Sequence, residues 1–172
     1  DTGDVIQREE VSIAPEETAG ELHDRLMRIG ASLIVKSVND IFNGRVIPIP
    51  QNASGTIAKT APKLTPENCR IDWRSDVTAV HDHIRGLSPH PGAWSRLVID
   101  DQPSQLFKIL RSRVAYRSPD GGPGTVILND QQMLIRCGTG AIEAQEVQAE
   151  GKRRMDAASF LRGLRGSPVM RF

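Results

Sequence analysis

The sequence predicts an α/β segment, then an extended linker, then a small β-barrel with flanking helices. Three observations carry this. One long amphipathic helical pattern follows an alternating segment at the start of the chain; prolines then break every periodicity; and the remainder reads as five short strands joined by tight turns within about 55 residues. The 172 residues are 38% hydrophobic and 25% charged, which is ordinary for a globular chain, and hold no apolar run of membrane-spanning length.

The first element is expected at Val5–Ile13, where apolar and polar residues alternate after the acidic turn Asp1-Thr2-Gly3-Asp4. A turn at the first residue, with no initiator Met, leads us to expect the back part of a longer protein, cut inside a domain. Thr18 and Glu21 have capping-box spacing, and Leu22, Leu26, Ile29, Leu33, Val38, Ile41 and Phe42 recur at helical intervals up to Asn43-Gly44. A helix over about 19–43 follows. Its apolar stripe needs a partner surface that one strand cannot supply, which implies a sheet beyond these residues.

Residues 45–70 contain Pro48, Pro50, Pro62 and Pro66 and predict an extended linker with basic residues along it. Asp76 is placed to cap a short helix bearing Val77, Val80, Ile84 and Leu87, which stops at Pro89-His90-Pro91-Gly92. Strands are expected at Trp94–Ile99, Gln105–Tyr116, Thr125–Leu128, Met133–Cys137 and Ile142–Val147. Gly151-Lys152-Arg153-Arg154 reads as a basic turn, and Asp156 as the cap of a last helix. The domain boundaries that follow are 1–44, 45–74 (linker) and 75–172.

Charge is unevenly spread. Residues 1–86 hold 10 Lys/Arg against 13 Asp/Glu, and residues 87–172 hold 12 against 8. The basic second half permits a polyanionic partner. Aromatic residues make up only 4% of the chain, too few for a surface that stacks a run of unpaired bases. The candidate RNA contacts are therefore phosphate-gripping cations: Lys59, Lys63, Lys108, Arg111, Arg113, Lys152, Arg153 and Arg154. Arg111 and Arg113 lie two apart on a strand and should share a face. Cys69 and Cys137 lack C-x-x-C spacing and read as packed thiols, and the four His residues form no ligand pattern, so no metal is expected.

The order of the motifs is more specific than any one of them. D-T-G-D is followed by a long capped helix, then A-P-K-L-T-P-E-N-C-R-I-D-W, R-G-L-S-P-H-P-G-A-W, P-G-T-V and G-K-R-R-M-D. This series resembles the C-terminal portion of the methionyl-tRNA formyltransferases across nearly the whole chain. The resemblance implies the end of a Rossmann-like formyltransferase domain, a linker and an OB-like tRNA-binding barrel. It implies transfer of a formyl group from 10-formyltetrahydrofolate to the amine of methionyl initiator tRNA, in a cytoplasmic enzyme that is monomeric at full length. Asp1 matches the family's catalytic Asp, and Asp1, Thr2 and Gly3 the edge of its folate site. The family's Asn-x-His and Ser-Leu-Leu-Pro motifs occur nowhere in residues 1–172, so the chain alone is expected to be inactive. The alternatives are another folate-dependent enzyme on the same scaffold (a sugar-amine formyltransferase or a formyltetrahydrofolate hydrolase) and a non-enzymatic RNA-binding module.

Overall fold

The computed structural model describes residues 3–51, 60–100, 102–117, 120–129, 131–164 and 168–172. The chain divides into two compact units, residues 1–17 with 21–63, and residues 18–20 with 64–172. No described helix is long and apolar enough to cross a membrane.

The first unit is organised by helix α1, Ala19–Phe42. Its C-terminus closes as expected: Gly44 adopts φ +64°, and its N–H donates to the Ile41 carbonyl at 3.0 Å. Polar side chains fasten the preceding segment to the helix. Arg25 forks onto Glu17 at 2.7 and 2.9 Å and also donates to the Ser12 carbonyl. Gln7 donates to Asp40 at 2.7 Å and accepts from Ser37 at 3.1 Å.

The expected strand at 5–13 does not form. Among the described residues only Val5 pairs, in an isolated antiparallel bridge to Ile49. Alternation prepares two faces, but a strand also needs a neighbour for its N–H and C=O groups, and among the described residues this unit offers only one point of pairing. No α1 residue is buried, and Leu26, Met27, Ile34, Val35, Val38, Ile41 and Phe42 are exposed. Of the expected stripe, Leu22, Ile29 and Leu33 are half-buried and Leu26, Val38, Ile41 and Phe42 are exposed.

The second unit begins earlier than the linker boundary at residue 74 suggests. Cys69, Ile71 and Trp73 are all buried in its core, while Arg70, Asp72 and Arg74 face outward. The prolines end helical periodicity at 62 and 66, but the period-two alternation that starts at Cys69 belongs to the packed unit. Helix α2, Val77–Leu87, starts at Asp76, whose carboxylate accepts from the Thr78 N–H at 2.8 Å and from the Thr139 hydroxyl. Val80, Ile84 and Leu87 form its buried face.

The strands are β1 (Ala93–Ile99), β2 (Gln105–Val114), β3 (Val126–Asn129), β4 (Gln132–Arg136), β5 (Ala141–Ala149), β6 (Met155–Asp156) and β7 (Met170–Arg171), with the short helix α3 (Ala157–Arg162) between the last two. Every pairing between strands is antiparallel, in the order β3-β4-β5-β2-β1-β7, with β6 on β5. A bridge from Thr125 to Arg171 and a bond from the Phe172 N–H to the Gly124 carbonyl bring β7 back towards β3, so the sheet becomes a nearly closed barrel. Leu97, Phe107, Ile109, Met133, Ile135, Ile142 and Val147 fill it. Phe160 of α3 stacks against Phe107 at 5.0 Å between centroids. Asp156 caps α3 through the Ser159 N–H, as its position predicts.

Gly138 is set by close approach. A Cβ there would lie 2.0 Å from the Arg74 carbonyl oxygen, and its own N–H donates to the Ser75 carbonyl. Only glycine lets the β4–β5 turn meet the chain entering α2.

Candidate nucleic-acid interface

The outer face of β2 and β5 gathers four of the expected cations. Lys108 lies opposite Gln148, Arg111 opposite Glu146 and Arg113 opposite Glu143 in the β2–β5 register. A register irregularity falls on either side of Arg111, yet Arg111 and Arg113 both remain outside while Ser112 is buried. The face is not a free cationic patch. Arg113 donates twice to one oxygen of Glu143, at 2.8 and 3.0 Å. Arg154 reaches Glu146 at 3.2 Å. The Lys108 ammonium donates to the Pro91 carbonyl at 2.7 Å and so holds the turn that enters β1. An RNA phosphate would have to compete with these partners.

Lys152 and Arg153 differ. Both are exposed at the β5–β6 turn, and neither side chain has a recorded partner among the described residues. Their backbone is fixed by bonds from the Lys152 N–H to the Ala149 carbonyl and from the Gln148 side chain to the Lys152 carbonyl. Lys63 is exposed at the end of the first unit. Asp1, Thr2 and Lys59 lie outside the described residues. Gly3 is exposed, and its carbonyl accepts from the Gln51 amide at 2.6 Å.

Arg70 and Arg74, absent from the expected contacts, are two further cations of the second unit that have a neighbouring side chain. Arg74 is directed by Asp72, which accepts from its Nε at 3.0 Å and its backbone N–H at 3.1 Å. This bonding holds the Asp72 carboxyl below its ordinary range. Arg70 lies over the ring of Trp94, 5.8 Å from guanidinium carbon to centroid. The sequence signal was available: Cys69, Ile71 and Trp73 are apolar, and the charged residues alternate with them. Both cysteines are buried and free, and burial pushes the Cys137 thiol up to about 11, which makes it inert as a nucleophile near neutrality. No group of three or more His, Cys, Asp or Glu residues able to hold a metal occurs among the described residues.

A nearly closed antiparallel barrel with a capped helix packed on it and a basic turn at one end defines a compact β-barrel module. The chain belongs to the formyl transferase, C-terminal domain family, whose model matches residues 63–165. A protein named methionyl-tRNA formyltransferase from Methylobacterium sp. (strain 4-46) is 43% identical over 171 residues, covering 99% of this chain and 53% of the relative. Another of that name, from Phocaeicola vulgatus, is 38% identical over 172 residues, with 97% and 53% covered. The chain thus spans about half the length of these curated relatives. Among solved structures, HypX from Aquifex aeolicus in complex with tetrahydrofolic acid superposes with a TM-score of 0.67 at 17% identity, over 93% of this chain and 27% of the other. An N-formyltransferase from Helicobacter canadensis, in complex with folinic acid and dTDP-3-aminofucose, gives 0.59 at 20%, over 84% and 50%. At these identities the structural likeness speaks for fold alone.

Proposed function

We propose that this chain is the C-terminal part of an enzyme that transfers a formyl group from 10-formyltetrahydrofolate to the amine of methionyl initiator tRNA. The observation that carries this reading is the 43% identity, along almost the whole chain, to a relative of that name. In this reading residues 1–44 end the Rossmann-like catalytic domain, 45–74 lead out of it, and 75–172 form an OB-like tRNA-binding domain, with 64–74 packed as part of it. The bare apolar stripe of α1 supports a sheet partner of the kind a Rossmann-like domain provides. The enzyme works in the cytoplasm and is monomeric at full length.

Asp1 orients the family's His and assists proton transfer from the attacking amine, beside Thr2 and Gly3 at the folate edge. The remaining folate and catalytic groups lie upstream, so the 172-residue chain alone is inactive and no metal takes part. Its own contribution is tRNA binding through phosphates. Lys152 and Arg153 act first because their side chains have no partner among the described residues to give up; Lys59 and Lys63 add phosphate contacts along the linker. Lys108, Arg111, Arg113 and Arg154 provide a second row, in which Lys108, Arg113 and Arg154 are already tethered to acceptors.

Two measurements test this. Formylation of methionyl initiator tRNA by the full-length gene product, with 10-formyltetrahydrofolate as donor, should be lost in an Asp1→Asn variant by about 10²–10⁴-fold. Unchanged single-turnover rates would remove Asp1 from the mechanism. For the chain itself, tRNA affinity should fall steeply with salt. Lys152→Ala with Arg153→Ala should flatten the log–log slope by about 1.5, since each phosphate contact contributes roughly 0.7–0.9. An unchanged slope would move the tRNA surface elsewhere.

A further inference from the structure

We infer that the cleft lined by Arg70, Asp72, Trp73, Arg74, Glu67 and Phe172 takes a single nucleotide of an RNA chain. The inference rests on the reading of the barrel as an RNA-binding unit and names a site within it. The cleft measures about 460 Å³ and lies wholly within the second unit. That is inside the range of roughly 300–1,000 Å³ typical of small-ligand sites.

Its construction follows from the alternation at residues 69–74. Cys69, Ile71 and Trp73 are buried, whereas Arg70, Asp72 and Arg74 are exposed, and all of these but Cys69 line the cleft. Each guanidinium has a neighbour in the chain itself. Arg70 rests on Trp94, whose indole N–H is itself bonded to the Pro66 carbonyl at 2.8 Å, and Arg74 pairs with Asp72 while remaining largely exposed. Planar guanidinium groups suit a phosphate or the face of a base.

The aromatic side is fixed. Trp73 donates to the Ser95 hydroxyl at 3.1 Å and lies 5.0 Å from the half-buried Phe172 ring, with 31° between the planes. Phe172 is held in turn by the bond of its N–H to Gly124. The chain has few aromatic residues, yet both tryptophans and Phe172 gather around this one cleft and the arginine beside it.

The carboxylates decide what the cleft accepts. Glu67 is kept ionised by its own backbone N–H and by Thr65, and Asp72 by Arg74. Two carboxylates beside two guanidinium groups disfavour a bare anion. They favour a ligand that carries a phosphate together with amino donors, since ionised Asp and Glu accept from the exocyclic amino groups of bases. Cytosine, adenine and guanine have such a group and uracil does not.

The test uses the two tryptophans. The indole N–H signals of Trp73 and Trp94 are followed by NMR in the 172-residue chain while CMP, GMP, UMP or ribose 5-phosphate is added. CMP and GMP should shift the Trp73 signal saturably. UMP should bind about threefold more weakly or worse, for want of a hydrogen bond. Arg70→Gln with Arg74→Gln should weaken CMP by about tenfold or more, while both indole signals of the free variant remain dispersed as in the folded chain. Glu67→Gln, which leaves the arginines in place, should weaken CMP more than UMP. Absence of a saturable shift at millimolar nucleotide, or ribose 5-phosphate binding as tightly as CMP, overturns the inference; the latter would mark an anion site only. The Lys152→Ala, Arg153→Ala variant separates this from the broader reading. If it flattens the salt dependence of tRNA binding while no nucleotide shifts Trp73, the cleft fails and the tRNA surface stands. If nucleotides bind but tRNA does not, the tRNA reading fails instead.

Discussion

The two units use apolar residues in opposite ways. Helix α1 has no buried residue in its 24, whereas α2, less than half as long, buries Val80, Ile84 and Leu87. Both have an apolar stripe at helical spacing. What separates them is the surface each stripe meets. α2 lies on the barrel, whose strands bond to one another and shut out water. α1 meets an extended segment pinned mostly by side-chain hydrogen bonds, through Gln7 and Arg25. Periodicity declares that a face is to be buried; it does not supply the partner.

The strongest way to break this comparison is at the barrel centre. Phe107 is fully buried between Phe160 and Phe172. Phe107→Ala should cost about 3–5 kcal/mol, read as a lower urea midpoint for the barrel transition. Should the loss be below about 1 kcal/mol, the barrel would not be the cooperative core of this chain. Next comes Gly138→Ala. Its methyl would stand against the Arg74 carbonyl, a backbone atom that cannot swing aside. Overpacking of about 1–3 kcal/mol, or more, is expected. A neutral result would mean that the β4–β5 turn can move away from the start of α2.

Acid titration sharpens the contrast further. Asp76 is held below its ordinary range by bonds from the Thr139 hydroxyl and the Thr78 N–H, and Asp156 by Ser159. Glu17, in the first unit, is lowered chiefly by the Arg25 side chain. A lowered folded-state value means that the stabilisation is fully present above the unfolded-state pKa and disappears as pH falls through the folded-state one. Asp76→Asn should therefore flatten the barrel's loss of stability below about pH 4, and Glu17→Gln should leave the barrel transition unaffected. The smallest effect is expected on α1. Ile34 is 65% exposed, so Ile34→Ala should change the chain's stability by no more than about 0.5 kcal/mol. A larger loss would show that this face of α1 is covered in solution.

Much of this was legible in the residues. The capped helices at Asp76 and Asp156, the glycine ending α1 and the five main strands all follow from local rules that a few neighbouring residues satisfy. Segment 5–13 alternates like a strand yet does not form one, because alternation is local but pairing is not. In the sequence Arg113 and Arg154 look like available cations, because their partners, Glu143 and Glu146, lie 30 and 8 residues away. Arg70 and Arg74 do not stand out together in the sequence, because the cleft they line also needs Phe172, about a hundred residues later.

The sequence by itself determined the elements, their caps, the basic bias of the second half and the family resemblance, since each depends on residues near one another or on their order. Only the tertiary structure decided that β2 lies between β1 and β5, that Thr125 and Arg171 nearly close the barrel, and which cations keep their charge uncompensated. Those outcomes depend on contacts between distant residues, where hydrogen-bond partners and desolvation, rather than local propensity, set the free energy.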